Sequence, residues 1–204
     1  MTNPDFKIPG IAAILLAVLF PIYWLSVFSG SYNDFEQAFR SDLTTLGWSD
    51  ALFILIGALE IYIYLSLRKI LADQLETTVV NLLLFIMMGM VALFHSLVLV
   101  DIYLASQYLT INTDTVDQFV SFSLLIAFAT TIIYSLVGLV FSILLLSKGL
   151  ANSIFLKVFS ALLIATCIMQ MTLILAVVNV VLFPITLLVL AVYFFKEPQM
   201  AEVV

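Results

Sequence analysis

What the chain lacks narrows its chemistry first. In 204 residues it holds one cysteine, Cys167, and one histidine, His95. A lone thiol has no intrachain partner, so a single chain contains no disulfide framework and no thiolate metal cluster. A lone imidazole excludes a bis-histidine haem site within one subunit, and no HExxH, CxxC or CxxCH pattern occurs. Charge is equally scarce. Seven basic and 13 acidic residues leave a net charge of −6, and there is no basic patch of the kind nucleic acid requires. With no nucleophile–base pair and no metal-ligand set, the expectation is a protein that is not an enzyme and carries no cofactor.

Apolar surface is what the chain has in abundance. Hydrophobic residues make up 64% of it and mean hydropathy is +1.24, whereas a soluble domain runs about half apolar and a quarter charged. In hydrocarbon an unpaired backbone polar group costs several kcal/mol. Apolar runs of about 20 residues without strict polar alternation therefore select helices over a barrel. The reading is an all-α integral membrane protein, a six-transmembrane-helix bundle with spans at about 8–29, 50–69, 78–107, 116–147, 153–173 and 177–195. The first apolar run, 11–28, resembles a secretory signal but is long enough to span. Pro21 is expected to kink it or be accommodated by neighbours.

Lengths and end signals refine the picture. The third and fourth spans are matched, each about 46 Å at 1.5 Å per residue, so both should tilt or project together beyond a roughly 30 Å apolar layer. As one helix, residues 154–195 would be about 63 Å long, so a tight turn is expected between Gln170 and Asn179, with Pro184 inside the last span or breaking it. Ser49 is the expected cap of the second span, Thr115 with Gln118 that of the fourth, and Asn152 or Ser153 that of the fifth. Lys148 and Gly149 read as the end of the fourth span. Phe35, Ala38, Phe39 and Leu43 recur at helical spacing after Asn33 or Asp34, predicting a short amphipathic helix in the first outer loop, with Trp48 as an interfacial anchor.

Six spans place Lys7, Arg68, Lys69, Lys148, Lys157 and Lys196 on one side and Arg40 on the other. By the positive-inside rule the N- and C-termini are cytoplasmic. A bacterial-type inner membrane is the expected location, with membrane lipids and further copies of the chain or other membrane subunits as partners. The outer side holds Asp34, Glu36, Asp42, Asp50, Asp114 and Asp117. Such a face raises the local cation concentration, and it also simply keeps loops solvated.

The ionisable groups expected inside the apolar layer are Glu60, His95 and Asp101. A mid-depth carboxylate must be paired, protonated or watered. Glu60 shares a helical face with Gly57 and Tyr64, so a partner backbone can approach at Gly57 while Tyr64 bonds nearby. A simple hairpin puts His95 about 10 Å from Glu60 along the axis. Gly89, Ala92 and Ser96 make a small-residue face suited to a close helix contact. Thr130, Thr131, Tyr134, Ser135, Thr166, Gln170 and Asn179 could line a polar path, although Ser and Thr in such helices more often bond their own carbonyls. Two function classes follow. One is a small oligomeric channel or transporter that moves protons or small cations through Glu60, His95, Asp101 and Tyr64. The other is a structural or assembly protein in which the same groups fix the bundle.

Overall fold

A chain that cannot offer its backbone to water must close its hydrogen bonds within each segment, and this one does so by helices. A computed structural model describes residues 7–28, 35–74, 78–107, 112–147, 153–172 and 174–200. Among these residues there is no strand. The elements are α1 (Lys7–Phe28), α2 (Phe35–Thr44), α3 (Trp48–Gln74), α4 (Thr78–His95), α5 (Val98–Ser106), α6 (Thr113–Ser147), α7 (Ile154–Met171) and α8 (Asn179–Met200). Counting α4 and α5 as one path, six helices are long and apolar enough to cross a membrane. The chain is an integral multi-pass membrane protein.

The six spans close into a ring in which α1 packs on α3, α3 on α4, α4 on α6, α6 on α7, α7 on α8, and α8 back on α1. Large apolar side chains fill its interior, among them Leu16, Ile63, Leu67, Leu84, Met87, Phe141, Phe159 and Phe194, all of them buried. Two glycines set close approaches. A β-carbon at Gly10 would fall 2.7 Å from Phe195 Cζ, and one at Gly138 would fall 2.9 Å from Cys167 Sγ. The first contact seals α1 against α8 and the second draws α7 onto α6. Cys167 is thereby a buried packing residue. Helix α2 leans on α5 and touches α1 and α6.

The expected turn after Gln170 is present as a short 3-10 turn, Ile174–Val178, between α7 and α8. Pro21 and Pro184 both lie inside continuous helices. Ser153 caps α7, accepting from Phe155 N–H at 3.1 Å.

Three local expectations are corrected. The third span is interrupted after His95. His95 Nδ1 donates to the Val91 carbonyl at 2.8 Å and Ser96 Oγ to that of Leu93 at 2.7 Å. Where side chains compete for carbonyls in this way the backbone tightens. Leu97, Leu99 and Val100 bond three residues back, to Phe94, Ser96 and Leu97. Asn112, not Thr115, caps α6, because its Oδ1 accepts from Thr115 N–H at 2.8 Å. Ser49 does not cap α3; the Asp50 carboxylate reaches back to Gly47 N–H at 2.6 Å, one half of a capping box. The Asn33, Asp34 and Asn152 caps and the Lys148–Gly149 helix end lie outside the described residues.

Candidate functional site

One stripe of α3 carries the polar chemistry of the bundle. Asp50, Phe53, Gly57, Glu60 and Tyr64 follow at three- and four-residue steps, so they stack on a single face. Asp50 and Glu60 are ten residues apart, about 15 Å at 1.5 Å per residue.

Glu60 is 7% exposed and points into the ring. Its partner is Tyr134, whose hydroxyl donates to Oε1 at 3.0 Å. The ring neighbours of α3 are α1 and α4, so Tyr134 on α6 reaches across the interior past α4. The Tyr64 hydroxyl is hydrogen-bonded to that of Tyr134. Because Tyr134 gives its only proton to Glu60, Tyr64 is the donor in this arrangement. The three groups form one hydrogen-bonded cluster, in which the Tyr64 hydroxyl meets Tyr134 and also lies within reach of Glu60. Gly138, one turn past Tyr134, seats Cys167 and fixes α7 behind it.

His95 does not join Glu60. It packs on the same α3 stripe one turn nearer Asp50, where its ring lies 4.3 Å from that of Phe53. A β-carbon at Gly57 would fall 2.5 Å from His95 Cγ, so Gly57 is the slot that admits the imidazole. Phe53 in turn stacks on Tyr23 of α1 at 5.3 Å, and Phe94 meets Phe53 edge-on. These rings form an aromatic layer between Glu60 and the end of the bundle.

Beyond that layer, Asp101 is 5% exposed and its carboxyl faces that of Asp50, which is 7% exposed. Asp101 Oδ1 is buried with no hydrogen-bond partner. Asp42 of α2 completes an acidic group and accepts from the Tyr23 hydroxyl at 3.4 Å. Burial, and then the neighbouring Asp50, push the Asp42 carboxyl up to about 6, against the lowering effect of the Tyr23 hydrogen bond. Arg40, close by on α2, is engaged by Asp117 at 2.5 Å and does not neutralise the group.

The small-residue face at Gly89 is not a contact within this chain. A β-carbon there would meet nothing within 4 Å, Ala92 is exposed, and Ser96 bonds its own helix. Of the hydroxyls that could line a path, Thr130, Ser135 and Thr166 bond carbonyls of their own helices at 2.7, 2.8 and 2.9 Å. Asn179 Nδ2 bonds the Thr166 carbonyl at 3.0 Å, tying α8 to α7. Sequence reasoning placed Tyr134 among these hydroxyls without pairing it with Glu60. Among the described residues no group of three His, Cys, Asp or Glu side chains is disposed to hold a metal ion. Comparison with protein-family models, curated proteins and solved structures finds no match to the chain.

Proposed function

We propose that this protein is a small proton-handling transporter of a bacterial-type inner membrane, with both termini cytoplasmic and α2 in the first outer loop. The observation that carries the reading is the Tyr64–Tyr134–Glu60 cluster at mid-depth inside a ring packed with apolar side chains. A hydrated cation has no room there, whereas a proton moves along a hydrogen-bond chain by reversing its donors. With Glu60 ionised, Tyr134 donates to it. With Glu60 protonated, the carboxyl donates to Tyr134, and the cluster holds one more proton than before, carried by Glu60. The acidic group of Asp42, Asp50 and Asp101 forms the outer mouth and concentrates protons. His95, at the interruption between α4 and α5, gates the aromatic layer between mouth and carboxyl. Interrupted spans are where membrane transporters place their sites. The working unit is a homo-oligomer or part of a larger membrane complex.

The test is proton flux into vesicles containing the purified protein, read by a trapped pH-sensitive dye. Glu60→Gln keeps the acceptor for Tyr134, so it should assemble normally while flux falls to the empty-vesicle rate. Wild-type vesicles that stay silent under proton, sodium and potassium gradients would overturn transport. The packed interior favours one second reading, in which the same bridge ties α3 to α6 in an assembly subunit. That reading requires silent wild-type vesicles together with loss of assembly in Glu60→Leu, which leaves the Tyr134 hydroxyl without its acceptor.

A further inference from the structure

At the opposite end of α3, Arg68 sits on the seam with α4, two turns beyond Glu60. Its guanidinium carbon lies 4.2 Å from the centroid of the Phe85 ring, and Phe85 is 53% exposed on the outside of the ring of helices. The Nε atom is buried and has no hydrogen-bond partner. Asn81, one turn before Phe85 on the same face of α4, has a buried Oδ1 that is likewise unpaired. No carboxylate is paired with Arg68 among the described residues. Leu65 and Leu82, at 38% and 58% exposure, flank the seam with apolar surface. The seam thus holds a cation over an aromatic ring, with an unpaired donor and an unpaired acceptor enclosed beside it, bordered by exposed apolar surface.

We propose that Arg68, Asn81 and Phe85 form a binding site for the phosphodiester headgroup of a membrane glycerophospholipid. Phosphate oxygens suit the guanidinium fork, which Phe85 pre-orients by stacking. Asn81 Oδ1, enclosed without a donor, accepts from a headgroup hydroxyl or primary ammonium that inserts into the seam, which a quaternary ammonium cannot supply. Leu65 and Leu82 receive the chains. The site follows from the membrane-spanning fold and does not depend on proton transport.

Native mass spectrometry of delipidated protein in neutral detergent tests it, with phosphatidylglycerol, phosphatidylcholine or inorganic phosphate added in turn. Phosphatidylglycerol should be retained in preference to phosphatidylcholine. Arg68→Gln should weaken that retention by about tenfold, the scale of one lost charge-assisted hydrogen bond, while Lys69→Gln leaves it near wild type. Asn81→Ala should abolish the preference over phosphatidylcholine, and it carries the test should Arg68→Gln not fold. Equal retention by Arg68→Gln and wild type overturns the site. Equal retention of both lipids overturns the role of Asn81, and displacement of lipid by equimolar inorganic phosphate shows a soluble-anion site instead.

Discussion

The bundle buries carboxylates in two places and treats them in opposite ways. At mid-depth Glu60 is alone among acids and is met by phenol hydroxyls drawn from its own helix and from α6. At the end of the bundle Asp42, Asp50 and Asp101 are drawn together from three helices, with the Tyr23 hydroxyl against them and one Asp101 oxygen left without a donor. The first arrangement is hydrogen-bonded and holds the fold together. The second crowds three acids, with Asp101 hydrogen-bonded to Asp50, and the rest of the fold offsets the cost of gathering them. Removing a polar group should therefore have opposite signs in the two places.

The largest effect is expected at Tyr134. Tyr134→Phe removes the α6 donor to Glu60 and the hydroxyl that meets Tyr64, while the ring volume stays in place. A hydrogen bond to a charged group is worth about 1.5–3 kcal/mol, so the unfolding free energy in detergent should fall by that amount and proton flux should be lost with it. Unchanged stability would mean that the bridge is incidental to packing, and the contrast between the two regions would collapse. Tyr64→Phe should lose less, since it leaves the Tyr134 bond to Glu60 intact.

Asp101→Asn should act in the other direction. The amide N–H takes over the hydrogen bond between Asp101 and Asp50 without a proton having to be held between two acids. A gain of about 1 kcal/mol is expected, the usual net worth of one such bond. Thermal unfolding in detergent reads the sign directly. Destabilisation would show that the Asp101 carboxylate is already satisfied, removing the asymmetry with Glu60.

How far each region can be read from the sequence follows from where its partners lie along the chain. Gly57, Glu60 and Tyr64 share a face at helical spacing, so their association needs no tertiary information. Tyr134 lies 74 residues further on, and the sequence offers no reason to prefer it over Thr130 or Ser135 as a partner. The interruption at His95 carries neither proline nor glycine. It comes from two side chains, His95 and Ser96, that bond backward, a choice each makes only in its tertiary setting. The small-residue face at Gly89 makes no close contact among the described residues, since small residues permit close packing but do not compel it, whereas the one at Gly57 does. Span number and the turn after Gln170 were legible because a length limit and the cost of bare backbone in hydrocarbon leave few alternatives.

The smallest effect, and the one that separates docking of α2 from folding of the ring, is the pH dependence of Asp42. The ordinary value for its carboxyl is 3.8 and in place it is about 6, raised by burial and then by Asp50. The docked state thus binds the proton more tightly than the undocked one. Docking is strongest below the ordinary value and weakens as pH rises through about 6. The groups facing Asp42 keep this sign, since Tyr23 from α1 donates to it, Asp50 from α3 adds negative charge, and Arg40 is held by Asp117. Once partial solvent screening of the carboxyl is allowed for, docking should weaken about tenfold across that range. Amide exchange of α2, corrected for intrinsic rates, should lose protection by that factor between about pH 4 and 7, while the ring helices stay protected. Asp42→Asn should flatten the profile at its low-pH level. A wild-type profile that is flat, or that rises with pH, would mean that α2 is held by Phe39 and Leu43 against Leu104 and Val120 alone, and that the acidic group has no say in whether α2 stays docked.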